Sequence, residues 1–269
     1  MKSSRITDQQ IAQYNADGFL FVEGLLKSGE VQLLIEVAKS DREMTEGGWS
    51  AKDAAGRESR INLRADATDD MYSAVARDRR IVEPMTQLIG APIYHWHHKM
   101  MLKEPKVGGA WEWHQDYGYW YNDRCLYPDL ASCMIAVDRA HKGNGCLQVL
   151  RGSHKIGRVQ HGKFGDQTGA DPARVEAAKK RLELVHCEMS PGTALFFHGN
   201  LLHSSAPNTS DDPRWSLICC YNALHNVPFE GPGHGKPVPI ELSPEGYIIE
   251  AGRAQLERLR SAAVATTAS

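Results

Sequence analysis

From Ile93 onward the chain is cut into short apolar runs, each closed by a turn signal, and this pattern limits the fold more than any other feature of the sequence. Strands are predicted over Ile93–Leu102, Cys133–Val137, Gly145–Leu150, Leu182–Cys187, Thr193–His198 and Trp215–Asn222. Gly108-Gly109, Lys142-Gly143-Asn144-Gly145, Pro191-Gly192 and Asp211-Asp212-Pro213 supply the turns between them. Several short strands with this punctuation predict a sandwich or jelly roll.

The first third reads mainly as helix. Thr7 and Gln10 fit a capping box, Ile11 and Tyr14 give an apolar face, and Asp17-Gly18 stops the helix. Phe19–Val22 reads as a strand. Ser28 is the expected cap of a second helix that buries Val31, Leu34, Ile35 and Ala38. Residues 70–89 read as helix up to Gly90-Ala91-Pro92. One helix interrupts the later strands, with Asp171 as N-cap, Pro172 in its first turn and a Glu176–Lys180 pair. No internal repeat is present. After Gly252 the sequence is first helical in pattern and then low in complexity, and Ser261–Ser269 is expected to fray.

The chemistry sits in Trp113-His114-Gln115-Asp116. On an extended segment, residues two apart share a side, so an imidazole and a carboxylate can reach one point. They make two-thirds of a facial triad, which leaves open positions on an octahedral Fe(II). His203 is the best third ligand, after a Pro-Gly turn and an apolar strand, with His198 and His225 as rivals. Arg214 lies eleven residues after His203 and favours that choice. Its planar fork suits a carboxylate.

His-x-Asp followed at a distance by His-x10-Arg resembles the phytanoyl-CoA dioxygenase family of Fe(II)- and 2-oxoglutarate-dependent oxygenases. The resemblance runs from about Asp8 to Tyr221. It is carried by Asp17-Gly18-Phe19, Trp113–Asp116, Asn144–Leu150, Gly152-Ser153-His154-Lys155, and Pro191–His198 leading to His203 and Arg214. It implies a double-stranded β-helix, a cupin-like jelly roll that is mainly β with flanking helices. It implies Fe(II) on His114, Asp116 and His203, with 2-oxoglutarate and O2 as cosubstrates. Arg214 and Ser205 then hold the far carboxylate, and Gln115, Met100 and an upstream basic residue, Arg60, match cosubstrate-contacting positions. Trp120 matches an aromatic near the active site of the related ectoine hydroxylases. The reaction implied is hydroxylation of an unactivated C–H bond of a small molecule, with 2-oxoglutarate converted to succinate and CO2. Halogenases of related design lack the carboxylate, so Asp116 favours hydroxylation.

On this resemblance residues 1–252 form one oxygenase domain, with a helical part at 1–92, a jelly-roll core at 93–225 and a loop and C-terminal segment at 226–252. Residues 253–269 are then a partly disordered tail. Trp111, Trp113, Tyr117, Tyr119, Trp120 and Tyr121 crowd around the His-x-Asp. His97 and Lys99 point to one face of their strand, His98 and Met100 to the other. We place His98, Tyr117 and Trp120 in the substrate pocket, and His154 as a loop organiser. Glu46–Glu58, Gly157–Asp171 and Asn226–Pro239 are candidate lids.

Composition narrows the partners. The net charge is −2 with no basic stripe, against a nucleic-acid binder. There is no run of 18 apolar residues to cross a membrane and no signal-peptide core in MKSSRITDQQ. Six cysteines without a CxxC pair read as reduced core residues of a cytoplasmic protein, a monomer or homodimer. Two rival functions keep the same residues: a cupin-like zinc or manganese hydrolase or isomerase, and a non-catalytic ligand-binding jelly roll.

Overall fold

Thr7 accepts from the Gln10 N–H while the Gln10 side chain takes the Thr7 N–H, and this capping box starts α1, Asp8–Asp17. Gly18, in the left-handed region at φ 85°, ends it and turns the chain into β1, Phe19–Val22. These coordinates are a computed structural model that describes residues 4–267 apart from Ala54 and Pro232. Next come α2 (Ser28–Ser40), α3 (Arg42–Glu46), β2 (Trp49–Lys52), β3 (Glu58–Arg64), α4 (Met71–Ala76) and α5 (Arg79–Ile89). The second half holds β4 (Ile93–Lys103), β5 (Trp111–His114), α6 (Asp116–Trp120), β6 (Leu130–Ala136) and β7 (Leu147–Leu150). It continues through β8 (His161–Phe164), β9 (Gln167–Ala170), α7 (Pro172–Lys179), β10 (Leu184–Cys187), β11 (Ala194–His198) and β12 (His203–Ser205), then β13 (Arg214–Ala223) and α8 (Tyr247–Thr267).

The strands form the jelly roll that the turn pattern predicts. A seven-stranded sheet runs β1-β11-β6-β13-β4-β3-β2 and faces a four-stranded sheet, β10-β7-β12-β5, with β8–β9 as a separate hairpin. Every strand pairing is antiparallel. Met134, Leu147, Val149, Phe197 and Ile218 fill the space between the sheets. The helices cover the back of the large sheet: Leu34, Val37, Tyr72 and Met85 pack on Cys133, Phe196, Leu217 and Cys219. The large sheet is therefore buried on both sides, and β6 and β13 are buried along their whole length. All six cysteines are free and buried. Among the described residues, no helix is long and apolar enough to cross a membrane.

Several boundaries differ from the sequence expectation, each for a local reason. Ser28 is the first helical residue of α2, not its cap; Lys27 takes the cap position and its N–H goes to the Glu30 carboxylate at 2.8 Å. Residues 70–89 hold two helices, because Asp78 caps a fresh start by accepting from the Arg80 N–H. Glu176 pairs with Lys179 rather than Lys180, which lies past the last helical residue. Glu46–Glu58 is largely the β2 strand and its turn into β3, so the N-terminal part is not purely helical: it gives β1 to one edge of the large sheet and β2 and β3 to the other. Gly157–Asp171 contains the β8–β9 hairpin.

The expected break at residue 252 is also displaced. Gly252 lies inside α8, where a Cβ would strike Leu33 and Met71 at 2.7 Å. The helix docks by burying Ile248, Ala251 and Leu256, and Gln255 Oε1 accepts from the Met71 N–H at 2.9 Å. The end of the predicted frayed segment, residues 268–269, lies outside the described residues. Ile248→Ala or Leu256→Ala should each destabilise the protein by about 2–5 kcal/mol. Urea unfolding measures this, and midpoints unchanged in both variants would show that α8 adds nothing to the core.

Candidate metal centre and its cavity

His114 ends β5 and His203 begins β12, and the antiparallel register sets them directly opposite each other. Their rings lie 4.0 Å apart, centroid to centroid. Gln115 is extended (φ −115°, ψ 137°), so Asp116, the first residue of α6, returns to the side of His114. Asp116 Oδ1 is 3.9 Å from His114 Nε2 and 3.8 Å from His203 Nε2. One donor atom from each residue lies within 4.8 Å of the other two, and all three residues are buried.

The neighbours aim the donors. Nδ1 of His114 bonds the Glu112 carbonyl at 2.7 Å, and Nδ1 of His203 bonds the Leu201 carbonyl at 2.9 Å. A carbonyl only accepts, so each Nδ1 carries the proton and each Nε2 keeps a lone pair. Ser132 Oγ donates to Asp116 Oδ2 at 2.7 Å, which leaves Oδ1 toward the imidazoles. Burial and the neighbouring His203 hold His114 well below the ordinary histidine range; burial lowers His203 too, against the opposing pull of Asp116. Two neutral imidazoles and one carboxylate, each held by a second partner, are a donor set that fits Fe(II).

The triad opens into a cavity of about 350 Å³ between the sheets. Arg214, at the start of β13, is 3% exposed and lines it. Its Nε and Nη2 donate to the Gly145 carbonyl and its Nη1 to Ser216 Oγ. Three of its five N–H groups are thereby used, and one on each terminal nitrogen remains. Burial brings its pKa down to about 10. Ser205, two residues past His203, lines the same wall. Trp49, Trp111, Tyr119 and Trp120 form the aromatic side, and Lys99, Asp123 and His234 add charged or ionisable groups.

Five of the expected site residues face elsewhere. Gln115 is fully buried with its amide on the Gly157 and Asn200 carbonyls and the Val159 N–H; the alternation that joins His114 to Asp116 turns Gln115 away from the cavity. Met100 packs among the helix-side core residues, while Met101 and Lys99 line the cavity. Arg60, the register partner of Leu102, bonds the Thr45 carbonyl, while Ile61 and Leu63 face in. His98 bonds His95 at 3.1 Å, while His97 lines the cavity. Tyr117 is also misplaced, with its hydroxyl on the Leu126 carbonyl; Tyr119 takes the cavity position, its ring 5.5 Å from His114. The helical spacing of Asp116, Tyr119 and Trp120 was the available signal, because i, i+3 and i+4 share a face.

The two rivals of His203 have other partners: His198 Nδ1 accepts from the Asn200 N–H, and His225 pairs with Asp129 at the surface. The His154 ring packs at a tilt against His198, and Ser153 Oγ accepts from the Leu202 N–H, tying its loop to the residue before His203. Each candidate lid gives a cavity residue: Trp49, Thr168 and His234.

The chain matches the phytanoyl-CoA dioxygenase (PhyH) family model over residues 14–216. It is 29% identical to an L-proline trans-4-hydroxylase of Streptomyces griseoviridis over 60% of this chain and 66% of that protein, just under two-thirds of its length. It is 25% identical to an ectoine dioxygenase of Bordetella parapertussis over 82% of this chain and 77% of that protein. The crystal structure of EctD from S. alaskensis with 2-oxoglutarate and 5-hydroxyectoine shares the fold, with a TM-score of 0.74 at 22% identity over 88% of this chain and 87% of that one.

The buried histidines set an acid limit. Burial lowers His95 and His198 to about 4 and His98 to about 3. The unfolded chain takes up these protons near pH 6.5 and the folded chain does not. The stability they contribute is complete above pH 6.5 and is lost as pH falls through about 4 and then 3. The melting temperature should fall across that range, and a melting temperature flat from pH 6.5 to 4 would contradict it.

Proposed function

This chain belongs to the phytanoyl-CoA dioxygenase family of iron- and 2-oxoglutarate-dependent dioxygenases, and we propose that it hydroxylates a C–H bond of a small charged molecule at a metal centre formed by His114, Asp116 and His203. The observation that carries this reading is the convergence of two neutral Nε2 atoms and one free carboxylate oxygen in a cavity that also presents the unused face of Arg214. Iron held there would supply oxygen activation coupled to decarboxylation of 2-oxoglutarate to succinate and CO2. The protein's own part is placement and exclusion of water.

Arg214 binds the far carboxylate of 2-oxoglutarate through its remaining pair of N–H groups, with Ser205 beside it. The carbonyl of Gly145 holds the guanidinium in place by taking two bonds from its other edge. Trp111 and Tyr119 pack around His114, their rings 6.4 and 5.5 Å from the imidazole. The substrate side carries opposite charges. The Lys99 side chain forms no hydrogen bond or ion pair among the described residues, and the Asp123 carboxylate has His234 as an ion-pair partner at 3.8 Å. A cavity of about 350 Å³ shared with the cosubstrate favours a compact substrate, and L-proline and ectoine, after which the two relatives are named, are compact charged molecules. The substrate therefore belongs among small molecules that carry a carboxylate, with amino acids and related osmolytes first to test.

Under anaerobic conditions, Fe(II) and 2-oxoglutarate together should produce a visible charge-transfer band in the wild type. His203→Ala should abolish it, and Arg214→Met should demand about 10- to 100-fold more 2-oxoglutarate, the worth of a charged hydrogen-bond pair. Folded protein without the band at saturating ligands would sink the proposal. Succinate release across amino acids and osmolytes then identifies the substrate. Lys99→Met should raise the KM for it at least about tenfold and leave the KM for 2-oxoglutarate unchanged; the reverse pattern would move Lys99 to the cosubstrate.

A further inference from the structure

His97 is the buried polar side chain of the cavity that the reading above leaves without a task. It is 4% exposed, it lines the cavity, and neither of its ring nitrogens has a hydrogen-bond partner among the described residues. Buried polar groups are ordinarily bonded, so two unpartnered nitrogens in a cavity wall point to a ligand. Burial, and after it the neighbouring Lys99, holds the imidazole well below the ordinary histidine range. A neutral ring carries one N–H and one lone pair, so His97 offers one donor and one acceptor.

The groups around it are charged or ionisable. Lys99 lies two residues further along the same face of β4, roughly 7 Å away by strand rise. Asp123, in the turn after α6, and His234, in the 226–239 loop, line the same cavity. The His234 ring lies 5.2 Å from the rings of both His97 and Trp96, and its Nε2 is 3.8 Å from Asp123 Oδ2, too far for a hydrogen bond. The Asp123 carboxylate accepts no hydrogen bond among the described residues. Burial pushes its pKa above the ordinary carboxylate range, with His234 pulling the other way. A half-buried carboxylate in this state gains from a cation that brings its own N–H groups.

Two tethers keep this corner together. The Phe229 N–H donates to the Arg124 carbonyl at 3.1 Å, joining the loop to the turn that carries Asp123. Gly235, at φ 65°, lies so close to β4 that a Cβ would meet the His95 carbonyl at 2.1 Å, and this approach seats the loop on the strand beside His97.

We propose that His97 and Asp123 are specificity residues that read a protonated substrate nitrogen: the lone pair of His97 accepts an N–H, Asp123 supplies the counter-charge, and Lys99 takes the carboxylate of the same molecule. The substrate class that follows is a zwitterion with at least one N–H, an amino or imino acid rather than a quaternary betaine or a simple carboxylic acid. This deepens, and rests on, the reading of the cavity as an oxygenase substrate site with Lys99 on the carboxylate.

The test is calorimetry on the anaerobic protein loaded with Fe(II) and 2-oxoglutarate. The probes are the protein L-amino acids, then, for the tightest binder, its N-permethylated betaine and the acid of the same carbon skeleton without nitrogen. For L-proline these are N,N-dimethyl-L-proline and cyclopentanecarboxylate. The wild type should prefer the amino acid at least about tenfold over each of the other two. His97→Leu should weaken the amino acid about tenfold and leave the other two within about threefold. Asp123→Asn should weaken amino acid and betaine alike, about tenfold, because both are cationic at nitrogen, and leave the nitrogen-free acid within about threefold. In both variants the 2-oxoglutarate titration of the visible band should stay within about threefold of wild type, as expected for independent sites. Equal losses for all three ligands, a parallel loss of 2-oxoglutarate, or a wild type that binds no amino acid while the band forms would each overturn the proposal. Should His97→Leu fail to fold, Asp123→Asn decides by itself, and undiminished discrimination against the nitrogen-free acid overturns the proposal. A wild type that forms no band with 2-oxoglutarate would instead remove the oxygenase reading, and this inference with it.

Discussion

The pairing of β12 with β5 carries the site. His114 and His203 are far apart in the chain, and only the register of this short ladder makes them neighbours. Three residues of β12 cannot secure themselves, so the approach to the strand is braced from outside. Ser153 holds the Leu202 N–H, Gln115 holds the Asn200 carbonyl, and the His203 ring is fixed to the Leu201 carbonyl. On the other side, β7 completes the ladder by pairing Val149 with His203 and Leu147 with Ser205. Donors held by such partners cannot turn aside, which is the condition for a preorganised metal centre.

The two sheets bring opposite contributions to the cavity. The small sheet supplies imidazoles and the Ser205 hydroxyl, while the large sheet supplies Lys99 and Arg214 from β4 and β13. Asp116 is the carboxylate of the metal end, and its charge is largely committed to the triad. Lys99 and Arg214 are the cations of the cavity wall, and Asp123 is its other carboxylate. The helices behind the large sheet make this arrangement tolerable. They pack Met100, Leu102, Leu217 and Cys219 into a continuous apolar layer that holds β4 and β13 together behind the cavity.

The strand pattern and the triad were legible in the sequence because both are set by residue type and spacing. The direction of the cavity walls was not, and β4 shows why. Tyr221 pairs with His95 and Cys220 with His97, so Trp96 is an extra residue, a bulge. Counting by twos from Ile93, which packs under the helices, assigns 95, 97 and 99 to the helix side and leaves His98 and Met100 for the cavity. The bulge reverses that parity. His95 and His98 end on the same side, close enough to bond, while His97, Lys99 and Met101 face the site. Arg60, which the resemblance suggested, pairs with Leu102 on the helix side of the sheet and so faces away from the cavity as well. Burial on both faces removed the polarity contrast that would have exposed the mistake, since β4 reads buried almost throughout.

Gln115 and α8 illustrate two further limits. A motif implies that its middle residue shares the function of its neighbours, yet extended geometry requires the opposite: once His114 and Asp116 point inward, Gln115 must point outward. Its work is then to hold the loop at Gly157 and Val159 against Asn200, which positions the ligand strand without touching the ligand. In α8 the composition after residue 252 is small and weakly amphipathic, and so resembles a tail, but small residues also permit close approach. Gly252 seats the helix against Leu33 and Met71, and Gln255 caps a neighbouring backbone N–H. Side-chain identity reveals what a residue can do chemically. Whether it acts at the site or supports the site depends on direction, and a single inserted residue such as Trp96 is enough to reverse direction for the rest of a strand.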